Sequence, residues 1–163
     1  MTVFSIVILG FSRALISSMH ASQKTRELDR ATQAANEVLE RIEAEAFAQA
    51  FRRFNADPAD DPGGAGTAPG ASFAVTGLSA LPDDADGLAG EVIFPSPGGA
   101  PSQLREDVIL PELGMPRDLD GNGVIDAANH ALDYTLLPVL IRVRWCSASG
   151  PAFFELRTML GNY

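Results

Sequence analysis

The chain is poor in cysteine, in lysine and, over its first third, in proline and glycine. Cys146 is the only cysteine, which excludes an intrachain disulfide and leaves the redox compartment unread. A lone cysteine in a strand pattern is expected to be a small core residue, not a nucleophile. Lys24 is the single lysine among 12 basic residues, against 21 acidic ones and a net charge of −9. That balance excludes a nucleic-acid partner, whose phosphates require a basic face. No proline precedes Pro58, and Gly10 is the only glycine before Gly63. A continuous helix from about Val3 to Phe54 is therefore expected. At about 1.5 Å per residue it would run roughly 75 Å, longer than a compact domain of this size needs.

What is present divides that stretch in two. Val3 to Ile16 is apolar but interrupted by Arg13, and falls short of the roughly 20 residues of a membrane span. No basic residue precedes it, as a secretory signal peptide would require. From Leu28 the pattern turns amphipathic: Leu28, Ala31, Ala35, Val38, Leu39, Ile42 and Ala46 recur at helical spacing and lay one apolar stripe. Residues 56–70, rich in proline and glycine, end the helix and form a loop. They lack the preceding strand and following helix of a phosphate cradle.

Short strands are expected at Ser72–Thr76, Glu91–Phe94 and Asp107–Leu110. The clearest strand signal comes last. Val139, Ile141, Val143 and Trp145 share one face, with Leu140, Arg142 and Arg144 opposite. A turn at Ser147–Gly150 leads to Phe154, Leu156, Thr158 and Leu160 on one face. This is a β-hairpin, with Arg142 or Arg144 opposite Glu155. Its apolar face needs a cover, and the helix stripe supplies one, so Val38, Leu39 and Ile42 are expected to be buried against it. The fold class is α+β, a long N-terminal helix on a small antiparallel sheet.

One motif carries chemistry. Asp118, Asp120, Asn122, Val124 through its carbonyl, and Asp126 have the spacing of a calcium loop, with Gly123 at the sharp turn. Ile125 would pack inward. Asn129 stands where an EF-hand places a bidentate carboxylate, Asp133 is the nearest spare, and Pro116 precludes a preceding helix. The segment thus reads as a calcium-loop fragment, with a solvated Asx turn as the plain alternative. His20 and His130 lack partners at ligand or triad spacing, and His130 is expected at the surface. Asp60, Asp61, Asp83 and Asp84 read as solvating loop residues. The chain is expected not to be an enzyme.

Several of these segments resemble the type IV pilin and pseudopilin family. Thr2–Gly10 is similar to the later half of that family's hydrophobic helix. Ala34 to Ile42 is similar to the A-x-x-x-L-E-R-I run of minor pilins and pseudopilins. The closing pattern Val143-Arg144-Trp145, turn, Leu156 to Leu160 is similar to their last hairpin. The family's cleavage signature is absent: Gly10-Phe11 mimics its start, but Leu15 stands where a glutamate belongs. Met1 would then correspond to roughly the tenth mature residue, and the restored residues would complete a span with Arg13 snorkelling at its boundary.

The resemblance implies a hydrophobic helix half over residues 1–25 and a pilin-like head over 26–163, with variable loops at 56–70 and 111–134. It implies a subunit of a type IV pilus or type II secretion pseudopilus. Its partners would be other pilin or pseudopilin subunits and the bacterial inner membrane, with a periplasmic or extracellular head. The second reading is a secreted or membrane-tethered module stabilised by calcium.

Overall fold

The computed structural model describes the backbone of residues 2–162 and the side chains of residues 18, 19 and 21–162. The expectations about side chains between Val3 and Ile16, and about His20, lie outside the described residues. The chain forms α1 (Thr2–Ala44), α2 (Phe47–Phe54), β1 (Ser72–Phe73), β2 (Gly90–Ile93), β3 (Leu136–Ser147) and β4 (Gly150–Gly161). The strands make one open antiparallel sheet in the order β1-β2-β3-β4. Helices on an antiparallel sheet are the expected α+β class. The boundary expected at residues 25 and 26 falls inside α1.

The long helix is not continuous to Phe54. It stops at Ala44, and Ala46, at ψ 125°, turns the chain into α2. The reason is a change of phase. Ala31, Ala35, Val38 and Ile42 are buried along α1, and Ala50, Phe51 and Phe54 along α2. At 3.6 residues per turn these two stripes lie roughly 135° apart, so a straight helix could bury only one of them. The break brings both inward. Tyr134 holds it there: its hydroxyl donates to the Phe47 carbonyl, and its ring lies 4.9 Å from that of Phe47. Phe51 meets Phe94 edge-on at 5.2 Å.

α1 lies across β3 and β4, where Val139, Ile141, Val143 and Trp145 are buried. Trp145 Nε1 donates to Glu27 Oε2 at 3.0 Å, tying the near end of the hairpin to α1. Leu39, Phe154 and Leu156 are only half-buried, and Leu28, expected on the stripe, is 44% exposed. The hairpin register places Arg142 opposite Glu155, with Nε to Oε1 at 2.8 Å. Gly90 sits under the ring of its cross-strand partner Phe73, where a Cβ would lie 2.2 Å from a ring carbon.

Other expectations fail locally. Asp107–Leu110 is not a strand, and only Ser72–Phe73 of the segment 72–76 pairs. Leu140 is fully buried although it shares a face with Arg142. The connection 94–135 lies across that end of the face, where Arg117 approaches Met159 Sδ at 3.9 Å. Leu104, Leu113, Met115 and Leu119 of that connection are buried, so it forms a second layer and not a loose loop. Cys146, expected in the core, is exposed, because its place in the alternation puts it opposite Trp145.

The largest correction concerns the membrane. Among the described residues, no helix is long and apolar enough to cross one. The physical reason is that the apolar run ends at Ile16 and the sequence is polar from Ser17, so the long helix cannot supply about 20 apolar residues. The filament-subunit function, the inner-membrane anchor, the pilin-subunit partnership and the inner-membrane localisation all depended on that span and are withdrawn.

Candidate metal centre

The connection between β2 and β3 folds around side-chain oxygens that accept from backbone N–H groups. Asp118 accepts from Gly121 and Gly123, both at 2.7 Å. Asp120 accepts from Asn122 at 2.9 Å, Asn122 from Val124 at 2.7 Å, and Asp126 from Ala128 at 2.6 Å. Gly121 and Gly123 have φ of 82° and 86°, a left-handed backbone that glycine adopts without strain. Asn129 Oδ1 serves Leu104 and Ala131, which ties the two ends of the connection together.

At the centre stands Glu106, fully buried. Its Oε1 accepts from Leu119 at 2.5 Å and Asp120 at 3.3 Å, and its Oε2 from Asp126 at 3.0 Å. Both oxygens accept, Oε1 from two N–H groups and Oε2 from one, so Oε2 retains a lone pair. Next to it lies His130, 3% exposed. Its Nε2 is 3.3 Å from Asp126 and 3.8 Å from Glu106; its Nδ1 is 3.2 Å from Asp133 and 3.7 Å from Asp120. His130 is thus a buried centre of acidic contacts, contrary to the surface position expected for it.

The protonation tendencies follow. Burial pulls the His130 pKa down, but the hydrogen bond it donates to Asp126 and the charges of Glu106, Asp133 and Asp120 together outweigh it, leaving it raised. Asp118 is lowered, chiefly by the N–H of Gly123 and then that of Gly121. Asp126 is lowered by the N–H of Ala128 and by His130.

Three sets of groups bring ligand atoms within 4.8 Å of one another: Glu106, Asp126 and His130; Asp120, His130 and Asp133; and Glu106, Asp118 and Asp120. Such clusters could chelate a metal ion. The structure therefore brings Asp118, Asp120 and Asp126 toward Glu106 and His130. It leaves Asn122 and Val124 on the exposed turn, and Ile125, expected to pack inward, is 50% exposed. Sequence spacing missed Glu106 altogether, since it lies twelve residues upstream of Asp118, just before the segment Asp107–Leu110 that reads as strand. Three loop aspartates expected to be merely solvated have partners: Asp84 pairs with Arg144 at 3.2 Å, Asp61 accepts from Ala68 at 3.1 Å, and Asp60 accepts from Asn55 Nδ2 at 3.0 Å.

No protein-family model, curated protein or solved structure matches the chain. No established calcium-binding signature accordingly stands behind the 118–126 segment, and the description of the protein as calcium-binding is withdrawn in favour of the coarser one, a chelating cluster of acidic residues and histidine.

Proposed function

We propose that the chain is a non-enzymatic α+β binding module whose 104–135 connection is closed by a divalent cation, with calcium the cation to test first. The observation that carries this is Glu106. It is fully buried, and its carboxylate converges with those of Asp118 and Asp120. It supplies from outside the loop the carboxylate that Asn129 fails to supply within it. Asp126 and Asp133 crowd the same region, with His130 facing both. Carboxylates at that spacing repel one another, and a hard cation with oxygen ligands relieves the repulsion.

A module of this kind works by presenting a surface. Ile109 at 82% and Leu132 at 80% are exposed on the connection, so its ordering would fix two apolar side chains for contact with a partner. For a site with an affinity of about 10⁻⁴–10⁻³ M, millimolar calcium stabilises the fold by about 0.4–1.4 kcal/mol. Melting curves of the chain in calcium and in chelator test this, with magnesium and zinc as comparisons. Calcium is expected to raise the Tm in the parent and not in Asp120→Ala. Equal Tm values with and without every cation, and no heat of binding by calorimetry, reject the proposal. A response to zinc alone, lost in His130→Ala, replaces calcium with a nitrogen-preferring metal.

The likeness to type IV pilins we propose for the fold alone. A long helix laid across an antiparallel hairpin supports it, and no filament or membrane role goes with it. An experimental structure with α1 away from β3 and β4 would remove it.

A further inference from the structure

β4 has β3 on one side and, among the described residues, no strand on the other. Its ladder with β3 runs without a bulge from Ser147–Gly150 to Leu136–Gly161. Free edges of this length invite another strand, and proteins usually blunt them with lysine, proline or a bulge. β4 has no lysine, and its one proline, Pro151, stands beside the turn. Phe153 is 69% exposed and Met159 is 39% exposed on the face that also carries Glu155 and Arg157.

Hydrogen-bond parity fixes which groups face outward. Ser147 and Gly150 close a two-residue turn, so they and every second pair along the ladder exchange bonds. The amides of Arg144 and Cys146 agree, pointing away from β4 to the carbonyls of Ala89 and Ser79. Even-numbered residues of β4 therefore bond to β3. Phe153, Glu155, Arg157 and Met159 turn their N–H and C=O groups to the free edge.

We propose that β4 pairs antiparallel with β4 of a second copy of this chain, about a twofold axis at Leu156, so that the two sheets become one. In this register Glu155 lies opposite the second copy's Arg157, and Arg157 opposite its Glu155. An axis at Glu155 or at Arg157 would instead set like charges face to face. The same register sets Phe153 against the second copy's Met159, an aromatic ring against a sulfur. All four residues are the outward-bonding ones, so charge, apolar contact and backbone bonding agree on a single alignment. Self-complementarity of this kind is what a twofold interface requires. Glu155 already accepts from Arg142 at 2.8 Å and Arg157 at 2.6 Å, so the second copy's arginine joins an existing network.

The test uses the full chain with Cys146→Ser, carrying Leu156→Cys, Phe154→Cys or Thr158→Cys one at a time. At the axis Leu156 faces its own copy as a non-bonded pair with Cα atoms about 4.5 Å apart, within disulfide reach. Oxidation is expected to cross-link Leu156→Cys at least tenfold more than the other two, which face each other and not themselves. Light scattering is expected to give a two-chain mass for the parent and a one-chain mass for Arg157→Glu. A one-chain mass for the parent overturns the proposal. So does a two-chain mass without the 156 cross-link, which is the outcome for association through α1, or cross-linking at 154 or 158 in its place.

Discussion

Glu106 holds two parts of the connection together, because the N–H groups of the adjacent Leu119 and Asp120 and that of Asp126 converge on its two oxygens. Glu106→Gln keeps the shape but puts an amide NH₂ where one oxygen was, so at least one N–H meets a donor. Loss of a hydrogen bond to a charged group costs about 1.5–3 kcal/mol, and the variant is expected to be destabilised by that much in urea titration. Glu106→Ala should cost more, since all three donors lose their partner. A change below about 0.5 kcal/mol in both would mean that water replaces the carboxylate freely. The variant should also lose any calcium response, which separates this residue from an ordinary structural glutamate. Glu106 was not legible in the sequence. Its distance from Asp118 depends on how residues 107–117 fold back, and no spacing rule encodes that path. The Asx turns of Asp118, Asp120 and Asn122 were legible, because each is a contact between residues two to five apart.

The elements were legible wherever the signal was local. Alternation in 139–145 and 154–160 located the hairpin and its apolar face, since a one-residue slip would expose the whole apolar set, but left Arg142 and Arg144 both open as the partner of Glu155 until the register chose Arg142. The break between α1 and α2 was also written there, in the change of apolar phase at Phe47, but continuity was inferred from the absence of proline and glycine. That distinction changes which positions matter. Ile42 is 1% exposed, whereas Leu39 is only half-buried. Ile42→Ala is expected to cost about 2–5 kcal/mol, and Leu39→Ala to stay nearer 1 kcal/mol, the typical value for a point substitution. Leu39→Asp, from the stripe alone, would unfold the protein; with the side chain half-exposed its charge reaches water, and a folded, weakened protein is expected. Thermal melts of the three variants check the order. If Leu39→Ala proves as costly as Ile42→Ala, the helix sits rotated from the position described.

At the scale of the whole molecule, a net charge of −9 falls unevenly, and the 104–135 connection holds its acids around one buried imidazole. This gives stability two edges in pH. Asp118, Asp126, Glu27 and Glu155 all have lowered pKa values. Their contribution is complete above the ordinary carboxylate values and is lost as pH falls through the depressed ones. His130 is raised above its ordinary 6.5. Its contribution is complete below that value and is lost as pH rises through the higher folded one. Without a cation, stability should therefore peak in mildly acid solution, between the carboxylate range and the His130 titration. A divalent cation needs its ligands deprotonated, so it competes with the imidazole proton and gains affinity as pH rises. Calcium should then restore on the alkaline side what His130 loses, and the optimum should broaden upward. The measurement is Tm against pH from about 3 to 9, in chelator and in calcium, for the parent and for His130→Gln. In chelator the parent should lose stability above the His130 titration, and His130→Gln should show a flatter alkaline limb. A parent curve in chelator that stays level there would remove His130 from the acidic cluster's charge balance. A calcium effect of equal size at pH 5.5 and pH 8 would mean that the cation and the proton do not share the site.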